Sequence, residues 1–148
     1  MRNNTSWKKV FEYDLEYIAD ELKEFLDGKS CIILSGEVGA GKTTFIQSFM
    51  KKSHTDDVLS PTYSIINEHN EFAHADFYRI DDPEEIIHLE MGLYAEGKNY
   101  FLIEWGLPYL EEIKMQLGEQ FKYYELTFDI LGDEDPSKAP RNIALKKL

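Results

Sequence analysis

The chain has one cysteine, three arginines and no long apolar run, and each scarcity excludes something. A lone Cys31 rules out an internal disulfide and any multi-cysteine metal site, and it suits a reducing compartment. No apolar stretch approaches the roughly 18–20 residues that a membrane helix needs. Residues 1–9 lead into no apolar core of a secretory signal, so the sequence reads as soluble and cytoplasmic, with no membrane partner. Basic residues are also scarce: 16 Lys and Arg against 28 Asp and Glu leave a net charge of −12. A surface that negative repels phosphate backbones, which excludes DNA and any broad RNA footprint. It leaves room for one local basic pocket, or for a basic protein partner. What the chain does have is apolar content, 43% hydrophobic and 14% aromatic over 148 residues, enough for one cored domain spanning residues 1–148.

Hydrophobic spacing then orders the chain. Leu15, Ile18, Ala19, Leu22, Phe25 and Leu26 recur at three and four residues, an amphipathic helix with Asp14 as its N-cap and Asp27-Gly28 as its stop. Residues 31–35 are apolar on both faces, as in a central parallel strand covered by helices on each side. Residues 36–41 must be a loop, and 42–52 a second helix. Strands are expected at 63–67 and 72–78 around the polar residues 68–71, then a helix opening at 81–85, where Pro83 and acids suit the first turn. A second buried strand at 99–105, a helix at 107–117, and strands at 123–131 and 142–148 complete the reading. The alternation predicts a three-layer α/β fold with a mainly parallel sheet and antiparallel edge strands.

One motif carries chemistry. Gly36, Glu37, Val38, Gly39, Ala40, Gly41, Lys42 and Thr43 fit G-x-x-x-x-G-K-[ST] at every fixed position, between an apolar strand and a helix that continues with Thr44. Backbone N–H groups of such a loop surround an anion, and the glycines permit the dihedrals and the close approach. The helix opening near Gly41 aims its positive end at the same phosphates. Lys42 can reach the β- and γ-phosphates, and the Thr43 hydroxyl can ligate Mg²⁺. The pattern arises by chance in well under about 1% of chains this long.

Two carboxylates compete to serve the metal or the attacking water, Glu104 ending the apolar strand and Asp76 within His74-Ala75-Asp76-Phe77-Tyr78. Otherwise Asp76 pairs with Arg79 and Glu104 caps the next helix. No N-K-x-D guanine reader is present, so ATP is the nucleotide by elimination. Small kinases clamp the moving phosphoryl group with several arginines, and this chain has only Arg2, Arg79 and Arg141. That points to ATP hydrolysis, slow alone and stimulated by a partner. A small-molecule or nucleotide kinase using the same loop is the alternative, and a nucleotide-gated binding module without turnover is a third. Trp105, beside Glu104, fits core packing or nucleotide contact equally. Cys31 reads as core. The four histidines have no zinc-ligand spacing, and Glu111-Glu112 and Asp133-Glu134-Asp135 read as solvated surface.

Four segments in order, residues 34–45, 60–64, 74–80 and 104–105, resemble the TsaE family of bacterial ATPases. They match its Walker A loop, its S-P-T-[FY]-[ST] segment, its H-x-D-L-Y-R-L signature and its E-W pair. The resemblance implies an ATP-binding hydrolase needed for threonylcarbamoyladenosine, the modified adenosine next to the tRNA anticodon. It implies action on a TsaD–TsaB complex, with tRNA met only through that complex. Carried over, Lys42 binds phosphates, Thr43 binds Mg²⁺, and Thr62 lies in a switch-like loop near the γ-phosphate. Asp76 lies near the metal, Glu104 near the attacking water, and Trp105 close by. The family often continues E-W-x-E-R, whereas this chain has Leu107 and Pro108 in the last two places, so no second acid or arginine is carried over there.

Overall fold

The computed structural model describes residues 4–50, 65–132 and 139–148. In chain order the first half runs β1 (Asn4–Val10), α1 (Leu15–Phe25), β2 (Ser30–Gly36), α2 (Lys42–Met50), β3 (Ile66–His69) and β4 (Phe72–Asp76). It continues with α3 (Pro83–Ile87), α4 (Met91–Ala95), β5 (Tyr100–Glu104), α5 (Leu110–Leu117), β6 (Lys122–Ile130) and β7 (Arg141–Lys147). These strands form one sheet in the order β1-β7-β6-β2-β5-β4-β3. The four central strands, β6, β2, β5 and β4, are parallel; β3 joins one side antiparallel, and β7 and then β1 join the other.

The apolar run in β2 lacks alternation because both of its faces are covered. Ile32 and Leu34 pack with Ile18 and Leu22 of α1 and Phe45 and Phe49 of α2. Their neighbours Cys31 and Ile33 pack on the opposite face with Ile86 of α3, Met91 of α4 and Ile113 of α5. All four strand residues are fully buried. The three-layer α/β arrangement follows, with the central strands' C-terminal ends converging on the loop after β2. Burial pushes the Cys31 thiol pKa up, which makes it an inert core group. Among the described residues, no helix is long and apolar enough to cross a membrane.

Several expected boundaries move, each for a physical reason. β1 carries no apolar alternation, since only Val10 of it is buried. It exists through its backbone ladder with β7, which a hydrophobic pattern does not record. The strand expected at 63–67 is β3, shifted to Ile66–His69, and positions 63 and 64 lie outside the described residues. Polar Glu68 and His69 read as turn but lie on an edge strand, and the hairpin turns at Asn70, whose φ is 53°. Asp14 does not cap α1 with its side chain; its carboxylate accepts the Phe11 N–H at 2.9 Å and fixes the turn before the helix. The helix expected from 107 opens as a 3-10 turn, Leu107–Tyr109, before α5. The five-residue α4 is held by tertiary contact: Gln116 on α5 accepts the Met91 N–H at 2.7 Å. The opening of α3 is as expected, with the Asp82 carboxylate accepting the Glu84 N–H at 3.0 Å. Asp133-Glu134-Asp135 lies outside the described residues.

Candidate nucleotide-binding site

β2 ends at Gly36, and α2 begins at Lys42. Between them the chain turns back on itself, with Ala40 donating its N–H to the Glu37 carbonyl at 3.0 Å. Two of the loop's positions need glycine, Gly36 for space and Gly41 for its backbone conformation. A Cβ on Gly36 would lie 2.7 Å from the Phe128 carbonyl of β6. Gly41 has φ +99°, and a Cβ there would face the Arg141 guanidinium. Ala40 is buried in the core on the α1–α2 side, and its carbonyl accepts Arg141 Nη1 at 2.6 Å. Arg141 Nη2 donates to the Ala139 carbonyl at 3.0 Å. The first residue of β7 therefore braces the loop from behind.

A cleft of about 450 Å³ opens over the loop. Val38, Gly39, Gly41, Lys42, Thr43 and Thr44 form one wall, and Asp76, Tyr78, Glu104 and Trp105 another, with Glu12 and Arg141 at the side. Gly36, Glu37 and Ala40 shape the loop from outside this lining. Thr62 lies outside the described residues.

Lys42 is 5% exposed. Its ammonium donates to the Gly36 carbonyl and to the Glu37 carbonyl at 3.4 Å, and sits 3.7 Å from the Trp105 ring centroid. Burial lowers its pKa, partly opposed by the charges of Glu104 and Asp76. Trp105 reaches that position with φ 61°, a left-handed conformation costing about 1–3 kcal/mol for a bulky residue. Its ring also packs against Tyr78, with centroids 5.2 Å apart. Trp105 thus lies against the loop lysine on one side and against the core on the other.

Register places the two carboxylates side by side, Asp76 ending β4 opposite Glu104 ending β5. Their surroundings differ. Glu104 is 3% exposed and holds the loop: its Oε1 accepts the Thr43 hydroxyl at 2.7 Å, and its Oε2 lies 2.8 Å from His74 Nε2. Asp76 is half-buried; its Oδ1 accepts the Tyr78 N–H at 3.0 Å, and burial raises its carboxyl pKa. Among the described residues no group of three or more His, Cys, Asp or Glu side chains gathers as a metal cage. Thr43 and Glu104 nevertheless bring hard oxygens together, as suits Mg²⁺, which takes few protein ligands and completes its shell with phosphate oxygens and water.

Sequence reading assigned no role to Arg141 and none to Glu12, because only the tertiary fold carries these residues to the loop. His74 offered a usable signal: it stands two residues before Asp76 on a strand, hence on the same face.

A glycine-rich loop between a buried parallel strand and a helix, with a carboxylate from the neighbouring strand on its threonine, defines the class: a P-loop NTPase-like fold. A fold comparison agrees, the crystal structure of Bacillus subtilis YdiB superposing with a TM-score of 0.66 over 99% of this chain and 87% of that one, at 24% identity. The chain belongs to the TsaE family, whose model, described as threonylcarbamoyl adenosine biosynthesis protein TsaE, matches residues 11–134. Curated relatives described as tRNA threonylcarbamoyladenosine biosynthesis protein TsaE include one from Bacillus subtilis, 35% identical over 140 residues and 86% of each chain. Another, from a Nostoc species, is 39% identical over 99 residues, an alignment spanning 60% of each chain.

Proposed function

We propose that this chain is a single-domain Mg²⁺-dependent ATPase that serves threonylcarbamoyladenosine formation on tRNA by acting on a TsaD–TsaB complex. The observation that carries the reading is the joined constellation of Lys42, Thr43 and Glu104 at the mouth of a glycine-shaped loop. Lys42 is the cation for the β- and γ-phosphates, leaving the Gly36 carbonyl and the Trp105 ring to meet them. Loop N–H groups and the start of α2 supply the remaining positive potential. Thr43 and Glu104 would hold Mg²⁺, which when bound supplies charge neutralisation for the phosphoryl transfer. Thr43 can keep donating to Glu104 while its lone pairs face the ion, so the observed bond does not have to break.

Asp76, beside Glu104 and with a raised pKa, is better suited to take a proton from an attacking water than an ordinary carboxylate. The resemblance gave these two acids the opposite roles, and the Thr43–Glu104 bond supports the exchange. With three arginines in the chain, of which Arg141 is bonded to the Ala40 carbonyl of the loop, turnover alone is slow. The acidity of the chain suits a basic partner surface and no direct tRNA contact.

The test is phosphate release from ATP by the protein alone and with TsaD–TsaB added. Stimulation that disappears in Lys42→Ala supports the proposal. Turnover that appears only with a small phosphoryl acceptor and no protein partner replaces it with a kinase.

A further inference from the structure

We propose that His74 is a positioning residue: its Nε2–H holds the Glu104 carboxylate in the orientation that serves the metal at Thr43. The inference rests on the reading above, that the cleft binds Mg²⁺ and ATP. His74 lies on β4, paired with Leu102 of β5, and Asp76 two residues on pairs with Glu104. His74 and Asp76 therefore share a face of β4, the face that the Glu104 side chain shares on β5. His74 is 1% exposed.

Each oxygen of Glu104 has its own holder. Thr43 from the loop helix donates to Oε1 at 2.7 Å, and His74 from the neighbouring strand faces Oε2 at 2.8 Å. A carboxylate fixed at one oxygen can still rotate about its terminal torsion, which is broad and roughly two-fold. Fixed at both, it presents one defined edge to the cleft. The proton assignment follows from the contact. An imidazole with its proton on Nδ1 would set the Nε2 lone pair against a carboxylate, so Nε2 carries the hydrogen. In the neutral ring Nδ1 then has only a lone pair, and among the described residues it has no hydrogen-bond partner. An unpaired acceptor of this kind is tolerated more readily than a buried orphan N–H. A histidine serving only the core would have both ring nitrogens satisfied or neither turned to a functional acid. This one spends its only side-chain hydrogen bond among the described residues on Glu104.

The test separates orientation of Glu104 from structural support. Binding of a fluorescent ATP analogue is measured in EDTA and across a Mg²⁺ titration, for wild type, His74→Leu and His74→Gln. Leucine keeps bulk and loses the donor; glutamine restores an N–H at similar reach. The expected result is a tenfold or greater rise in the Mg²⁺ needed for half-maximal binding in His74→Leu. Affinity in EDTA stays within threefold, and His74→Gln returns the Mg²⁺ requirement to within threefold of wild type. An unchanged Mg²⁺ requirement in His74→Leu, a parallel loss of EDTA affinity, or no rescue by glutamine overturns the inference. Should the leucine variant fail to fold, ¹⁵N-detected tautomer assignment in wild type decides: the proton on Nε2 supports the inference, and on Nδ1 overturns it. A wild-type protein that binds no nucleotide at all sinks the underlying ATPase reading instead.

Discussion

Arg141→Met is the sharpest test of how the loop is built. Arg141 is 4% exposed; the substitution keeps most of the aliphatic stem and removes the guanidinium, which donates to the Ala40 carbonyl at 2.6 Å and the Ala139 carbonyl at 3.0 Å. Hydrogen bonds from a charged donor contribute about 1.5–3 kcal/mol each. The low end of that range for two bonds gives a loss of about 3 kcal/mol. For a chain of this length that corresponds to a fall in Tm of roughly 6–12 °C. Thermal unfolding followed by circular dichroism reads it directly, with Arg79→Met as control, since Arg79 is exposed and its replacement should cost under about 0.5 kcal/mol. Because Arg141 Nη1 also occupies the space beside Gly41, ATP affinity should fall about tenfold as the loop loses its brace. A variant melting within about 2 °C of wild type, with unchanged affinity, would refute the claim that β7 organises the loop.

Three further outcomes follow from the same geometry. Lys42→Met should abolish ATP binding without lowering the Tm of the nucleotide-free protein, because burial makes the ammonium less favourable folded than unfolded. The sign fixes the pH dependence: this penalty is present below the lowered pKa and vanishes as pH rises toward the ordinary lysine value of 10.5, so any Tm advantage of the variant shrinks there. Glu104→Gln should raise the Mg²⁺ concentration for half-maximal nucleotide binding tenfold or more while affinity in EDTA stays within threefold; an unchanged Mg²⁺ requirement with lost turnover would return Glu104 to the attacking water. Adding ATP should change tryptophan emission in wild type and in Trp7→Phe but not in Trp105→Phe, since Trp105 covers the ammonium that the phosphates must reach; a signal that survives in Trp105→Phe would contradict that displacement.

Much of this architecture was legible where chemistry and periodicity are local. The unalternating 31–35 run, the motif at 36–43 and the acid at Glu104 in the 99–105 strand each carry their reason within a few residues. Parallel pairing then brings β2, β5 and β4 together, and Lys42, Thr43, Asp76, Glu104 and Trp105 meet in one cleft. The sequence was silent where partners are distant. β1 is a polar edge strand tied to β7 by its backbone, and α4 depends on Gln116 from another helix. Arg141 looked like one of three scattered arginines, yet its target is a carbonyl 101 residues away. The separation of Asp76 from Glu104 also needed structure, because both are acids at strand ends and it is the contacts of Thr43 and His74 with Glu104 that distinguish them.

The proposed function requires ATP turnover at this loop to support threonylcarbamoyladenosine formation through the partner complex. Its most direct test is a reconstituted assay with TsaD–TsaB, tRNA, threonylcarbamoyl-adenylate and ATP, counting modified tRNA per complex. Wild-type chain should carry the count well beyond one, and Lys42→Ala should leave it near one. Repeated rounds that proceed equally with Lys42→Ala, or without the chain, would contradict the account.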